Sequence, residues 1–325
     1  MHIAVIIPYH PQACHDTLVW TLQGLSRQTV DAGQTLEVLA GVDGEDGSSP
    51  RLPEPPPSPH PIRVHSLPRM GAAAVRNALV QRAQATPDLL IFLNADTRPD
   101  PDLVQQHART MAALPPKSLV LGAAPWERVS PTVLDTLIDG CPMVFSYCHL
   151  RAQQGYSFRV AYSLNLSVRY QDFCEAGGFP EEIRPCYYED LAFAARVLGI
   201  QRPGVYFQPE ARVIHRHPLA LEQYLDREEL LGIMEPVLAR VCPETFRALL
   251  AGRDVASVAD DFRQKLAGDK ALYPPLFRHL QEQFAQPDAA LGDGETRTQT
   301  IRRLYQLHLP LRLLAFRVGY LQGLE

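Results

Sequence analysis

The sequence predicts an α/β protein with a mostly parallel central sheet flanked by helices, followed by a helical C-terminal region. Two observations carry this. Short apolar runs at 3–7, 37–42, 62–66, 89–93 and 118–122 are interleaved with stretches of helical periodicity, as strands joined by crossover helices require. The run at 89–93, Leu-Leu-Ile-Phe-Leu, is apolar throughout, which suits a strand buried on both faces. It ends abruptly in Asn94-Ala95-Asp96, so a carboxylate stands just beyond the carboxyl end of a central strand, where open α/β sheets bind ligands.

The elements follow in order. Residues 3–7 form the first strand, stopped at Pro8-Tyr9, and Leu18, Leu22 and Leu25 mark a helix ending near Gln28. The second strand, 37–42, runs into the acidic glycine-rich loop Asp43-Gly44-Glu45-Asp46-Gly47. The proline-dense stretch 49–61 is extended or polyproline-like, a surface excursion before the strand at 62–66, with peptide docking as a second reading. A helix over 71–85 puts Ala72, Val75, Ala78, Leu79 and Ala83 on one face and directs Arg76 away from that stripe. Leu103, His107, Met111 and Leu114 mark another helix, entered through Pro101.

Residues 161–170 alternate loosely and predict a strand, and Gly177-Gly178-Phe179-Pro180 predicts a turn. Glu189-Asp190 precedes a helix marked by Leu191, Ala194, Ala195 and Leu198 and stopped by Gly199. Two short strands, 205–207 and 211–214, then run into His215-Arg216-His217. From 219 the chain reads as helices broken at Pro236, Pro243, Pro274 and Pro287, with a linker over 289–300 and a last stretch, 301–324, divided by Pro310.

Composition narrows the function. With 325 residues and 46% hydrophobic content the chain builds a large core, and a net charge of −5 offers no electrostatic footprint for nucleic acid. No apolar run reaches transmembrane length, and Pro8 cuts short the apolar start of the chain. Six cysteines without CxxC spacing point to neither a zinc site nor a disulfide framework, and fit free thiols in the cytoplasm. Gly41, Gly44 and Gly47 lack the dinucleotide spacing GxGxxG.

Seven features now stand in line: Pro8-Tyr9, Asp43, Arg76-Asn77, Asn94-Ala95-Asp96, Gly177-Gly178-Phe179, Glu189-Asp190 and His215. In this order they resemble the family 2 glycosyltransferases of the GT-A fold, over about residues 1–218. The resemblance implies a Rossmann-like GT-A domain over 1–218, with a nucleotide-binding half at about 1–122, an acceptor half at about 123–218, and a helical extension over 219–325. It also implies inverting transfer from a nucleotide-sugar donor, a UDP-sugar, to a hydroxyl or other nucleophile on a glycan, lipid-linked, peptide or small-molecule acceptor.

Roles follow by the same resemblance. Pro8, Tyr9, Asp43, Arg76, Asn94, Ala95 and Asp96 bind the nucleotide sugar: Asp43 accepts from uracil, Tyr9 stacks on the base and Arg76 approaches the nucleotide or diphosphate. Asp96 and His215 hold Mn2+ or Mg2+ against the diphosphate, and imidazole ligation favours manganese. Asn94 stands where the family has Asp, with one negative charge fewer; Arg216 and His217 are further candidates to meet diphosphate oxygens. Gly177, Gly178 and Phe179 lie beside the acceptor. The acceptor must lose a proton as it attacks, and Asp190, with Glu189 as alternative, takes it; the helix start keeps that carboxylate ionised.

At residue level the plainer readings stay open: an Asx turn at 94–96, a turn-forming Asp43, a solvated Arg76 and an N-cap pair at 189–190. A nucleotidyltransferase is disfavoured because no basic glycine-rich loop follows the first strand, whereas Asn94 keeps a non-catalytic scaffold in play. In the tail, Arg302, Arg303, Arg312 and Arg317 alternate with Ile301, Leu304, Leu307 and Leu311, without an acidic residue between 301 and 323. That pattern suits packing on the chain itself, a homodimer contact, or a peripheral membrane contact.

Overall fold

The computed structural model describes residues 1–11, 17–44, 53–184, 186–269 and 273–325. The elements are β1 (His2–Tyr9), α1 (Thr17–Leu25), β2 (Thr35–Asp43), β3 (Ile62–Leu67), α2 (Ala72–Val80), β4 (Leu89–Leu93), β5 (Thr97–Pro99), α3 (Leu103–Ala113) and β6 (Leu119–Ala123). There follow α4 (Val133–Gly140), β7 (Gly155–Tyr156), β8 (Asn165–Arg169), α5 (Tyr170–Glu175), α6 (Glu189–Leu198) and β9 (Val205–His215). The chain closes with α7 (Leu221–Val241), α8 (Pro243–Leu249), α9 (Val255–Asp269), α10 (Tyr273–Phe284) and α11 (Gly294–Gln322). They fall into two units: Met1–Pro125 with Leu150–Arg216, and Trp126–His149 with His217–Glu325. Residues 126–149, read from the sequence as part of the acceptor half, thus group with the C-terminal helices.

The first unit is built on one sheet, ordered β3-β2-β1-β4-β8-β6-β9-β5, with β7 on β9. β1 pairs in parallel with β2 and β4, β2 with β3, and β6 with β9. β8 runs antiparallel between β4 and β6. The runs 3–7 and 89–93 are fully buried, as their unbroken apolar character demands. β1 continues through Pro8 to Tyr9 instead of stopping, because its pairing with β4 has ended at Ile6 and no partner there needs the missing N–H.

The two strands expected at 205–207 and 211–214 are one strand, β9, carrying a register shift: Gly122 pairs with Gln208 but Ala123 with Arg212. Gly122 is required at this shift, since a Cβ there would lie 2.1 Å from the Ala211 carbonyl. Asn165 Nδ2 donates to the carbonyls of Ala123 and Ala211, and its Oδ1 meets the buried His107 ring at 2.8 Å. Burial pushes His107 down to about 4, so the ring is neutral.

In the second unit, Leu134, Leu137, Tyr224, Leu280, Phe284, Leu304 and Leu311 share one core. Thr132 caps α4, accepting from the Asp135 N–H at 3.2 Å. Prolines interrupt less than expected. α7 runs through Pro236 and α11 through Pro310, since packing along both helices outweighs one lost hydrogen bond. Pro243 and the Pro274-Pro275 pair stand in the first turns of α8 and α10, where a missing N–H is tolerated. The expected linker over 289–300 is mostly the start of α11, anchored where Arg297 Nη2 donates to Asp288 Oδ2 at 3.0 Å.

α7 and α11 pack through glycine. A Cβ at Gly232 would lie 2.1 Å from the Phe316 carbonyl, and one at Gly319 1.9 Å from that of Glu229. Arg312 of the tail donates to the buried Glu228 at 2.9 Å. No described helix is long and apolar enough to cross a membrane. Cys141, Cys148, Cys174, Cys186 and Cys242 form no disulfide among the described residues; Cys14 lies outside them, as do Glu45, Asp46, Gly47 and the start of the proline-rich stretch through residue 52.

Candidate active site

The acidic turn leaves β4 at Leu93 and is held on three sides by its own backbone carbonyls. Thr97 Oγ1 donates to the Asn94 carbonyl at 2.7 Å, Thr21 Oγ1 of α1 to the Ala95 carbonyl at 2.8 Å, and the Arg216 N–H to the Asp96 carbonyl at 2.8 Å. The short strand β5 then pairs with the end of β9, setting Thr97 opposite His215. As a result Asp96 Oδ2 lies 3.2 Å from His215 Nε2, with both residues about 5% exposed or less. A buried carboxylate oxygen and an imidazole nitrogen converging this closely suit a divalent ion of borderline softness, so the pair fits the expected metal. Arg216, expected near diphosphate oxygens, carries its guanidinium 4.2 Å above the Trp20 ring. His217 belongs to the second unit, where its carbonyl accepts the Trp126 indole N–H at 2.7 Å.

Asp43 ends β2, and its carboxylate accepts from the N–H groups of Met70 at 2.6 Å and Gly71 at 3.1 Å. It thereby fixes the approach to α2. Tyr9 ends β1 opposite Val42, one residue before Asp43 in the paired strand.

Arg76 departs from expectation. It is neither solvated nor turned outward: it is 3% exposed, and its Nη1 donates to Glu189 Oε1 at 2.9 Å. Nη2 reaches Asn94 Oδ1 at 3.4 Å, and the guanidinium lies 5.2 Å from the centre of the Phe179 ring. α2 is only nine residues long, so its polar side also meets protein. Asn77 is equally committed, since its Nδ2 donates to the Phe179 carbonyl and its Oδ1 accepts the Phe179 N–H. Both Gly177 and Gly178 have positive φ, and a Cβ on Gly178 would lie 2.7 Å from Asn77 Oδ1, so glycine is needed there. The Phe179 ring, expected at the acceptor, is 1% exposed and stacks on Phe193 at 4.4 Å.

Glu189 and Asp190 open α6 behind two residues in the left-handed region, Tyr187 (φ 73°) and Tyr188 (φ 68°). Neither is glycine, and such backbone persists only where its surroundings hold it. Glu189 is buried, whereas Asp190 is half-buried, accepting from the Ser163 N–H at 3.1 Å and its own helix's Leu191 N–H at 2.8 Å. Burial and then the Glu189 charge raise the Asp190 carboxyl to about 6, against the pull of the Ser163 N–H and Arg76. The helix start alone therefore does not hold it in the ordinary carboxylate range.

The model of the family described as Glycosyl transferase family 2 matches residues 4–132, the stretch that carries β1, Asp43, Arg76 and the acidic turn. Over this stretch the chain is similar to the family 2 glycosyltransferases. Among solved structures, the mannosyltransferase PcManGT from Pyrobaculum calidifontis, in complex with GDP-Man and Mn2+, aligns over 99% of this chain and 85% of its own at 14% identity and a TM-score of 0.52. GalNAc-T7 with UDP, GalNAc and Mn2+ aligns over 95% of this chain and 57% of its own at 12% identity and a TM-score of 0.51. TarS 1–349 from S. aureus aligns over 99% and 91% at 14% identity, with a TM-score of 0.47. No curated protein sequence matches the chain. The first two alignments show a shared GT-A fold.

Two residues of this candidate site, Thr21 and Ser163, carried no signal in the sequence. Thr21 reads as one more position on an amphipathic helix, and Ser163 stands in an irregular stretch. Asn77 was visible beside Arg76, but nothing local shows that its amide reads the Phe179 peptide.

Proposed function

We propose that the chain transfers a sugar with inversion from a uridine diphosphate sugar to a hydroxyl or other nucleophilic acceptor, with Asp190 as general base. One observation supports it above the rest: the Arg76 guanidinium touches both Asn94, two residues before Asp96, and Glu189, next to Asp190. The turn that carries Asp96 and the helix start that carries Asp190 thus meet at one guanidinium. A carboxyl near 6 is mostly ionised at neutral pH yet basic enough to take a proton from an attacking hydroxyl. The N–H groups of Ser163 and Leu191 orient it.

Asp96 and His215 would hold the divalent ion, Mn2+ or Mg2+, which neutralises charge on the departing diphosphate. The carboxyl ends of β1 and β2, with Tyr9 and Asp43, would receive the nucleoside, giving donor recognition to residues 1–122. Thermal shift tests this: UDP with Mn2+ should raise the melting temperature in proportion to ln(1 + [L]/Kd), and omitting the metal should weaken the effect. A shift with GDP but none with millimolar UDP would overturn the uridine assignment. Release of UDP from a panel of UDP-sugars then tests turnover.

A further inference from the structure

We propose that the buried Arg76–Glu189 pair is a positioning device for Asp190, in which Glu189 sets the charge beside the base and Arg76 anchors Glu189 to α2. Neither residue then binds nucleotide or accepts the acceptor's proton. The inference rests on reading Asp190 as the base.

Access is the first argument. The two side chains are 4% and 6% exposed, so neither offers a surface to a donor or an acceptor. Among the described residues, Arg76's further contacts are also internal, to Asn94 and the face of Phe179.

Energetics is the second. A buried ion pair repays desolvation only when its remaining polar atoms are satisfied. Here Arg76 Nε and Glu189 Oε2 are buried with no hydrogen-bond partner among the described residues. The pair is thus a poor device for stability, and its placement calls for another reason.

Geometry supplies that reason. Tyr187 and Tyr188 enter α6 in left-handed backbone, an arrangement that needs an external hold. The Arg76–Glu189 bond fastens the first residue of α6, and Asp190 is the next. The charged groups facing Asp190 are Glu189 from its own helix and Arg76 from α2; Ser163, on the loop before β8, presents its N–H and, at 3.5 Å, its hydroxyl.

The two members therefore act on Asp190 with opposite sign. In Glu189→Gln a like charge disappears and Arg76 loses its counter-charge, so the proton on Asp190 becomes harder to hold. In Arg76→Gln the favourable cation disappears and the proton is held longer.

The test titrates Asp190 in the full chain by its carboxyl 13C signal, assigned with Asp190→Asn, and needs no substrate. Glu189→Gln should titrate about one pH unit or more below wild type, and Arg76→Gln a similar amount above it. The double variant should return toward wild type. Arg76→Lys keeps the cation and should titrate close to wild type, which preserves the test if Arg76→Gln fails to fold. Unchanged titration in Glu189→Gln, or displacement of both single variants in the same direction, would overturn the proposal. UDP release from whichever UDP-sugar the wild-type protein turns over, read against pH on the same proteins, separates the two readings. Opposed titrations with no effect of Asp190→Asn on turnover would remove the base and leave the pairing. An essential Asp190 with unmoved titrations would do the reverse.

Discussion

Arg76 Nη1 donates to Glu189 Oε1 at 2.9 Å across 113 residues of chain, both side chains almost wholly withdrawn from solvent. The bond joins α2, which follows β3, to the first turn of α6, which carries Asp190. Breaking it on one side leaves a bare charge in the interior. Arg76→Met should cost about 3–5 kcal/mol, the usual penalty for an orphaned buried ion. Urea unfolding should also show Arg76→Met/Glu189→Leu to be less destabilised than Arg76→Met alone; equal losses would mean that the charge is not the cause.

Thr21 reaches the acidic turn from α1 through its hydroxyl on the Ala95 carbonyl. Thr21→Val keeps the shape and leaves that buried carbonyl unmet, at a cost of about 1–3 kcal/mol. Because the same turn positions Asp96, Mn2+ affinity measured by calorimetry should fall several-fold. Unchanged affinity would separate the turn's geometry from the metal.

How much of this was legible depends on how local each cause is. The strands at 3–7 and 89–93 declared themselves because burial on both faces demands unbroken apolar runs, and Asp96 was readable as the residue beyond such a strand. β5 was invisible: it has three residues, one of them Pro99, and exists only through pairing with β9 near residue 215. β9 read as two strands because its register shift falls at the polar residues between Gln208 and Arg212. Pro8, Pro236 and Pro310 read as stops, yet pairing and packing carry their elements through. Arg76 read as an outward cation since its partner lies 113 residues away.

The tail offers a test of packing within the second unit. A Cβ on Gly319 would lie 1.9 Å from the Glu229 carbonyl, so Gly319→Ala must push α11 off α7. We expect a loss of about 3 kcal/mol by chemical denaturation, near the upper end for overpacking. A neutral Gly319→Ala would mean that α11 does not rest on α7.

Glu235 gives stability a pH dependence. It is 3% exposed, its Oε2 meets no partner among the described residues, and burial raises it from 4.5 to about 7. Between these values the folded chain holds a proton that the unfolded chain releases, so stability from this group falls as pH rises from about 4.5 to 7 and stays low above. Glu235→Gln should be the more stable protein at pH 8, by up to about 3 kcal/mol, and close to wild type at pH 4. Parallel unfolding curves for the two proteins at both pH values would refute the assignment.

The proposed base role of Asp190 is tested most directly by UDP release from a UDP-sugar by Asp190→Asn, with donor binding followed on the same protein. The melting shift with UDP and Mn2+ should persist, and turnover should fall about 10²–10⁴-fold, the range for a lost general base. In wild type the rate should be present above pH 6 and fall as pH drops through about 6, where the carboxylate takes up its proton. Wild-type turnover by Asp190→Asn, with the same acid limb, would contradict a base role for Asp190.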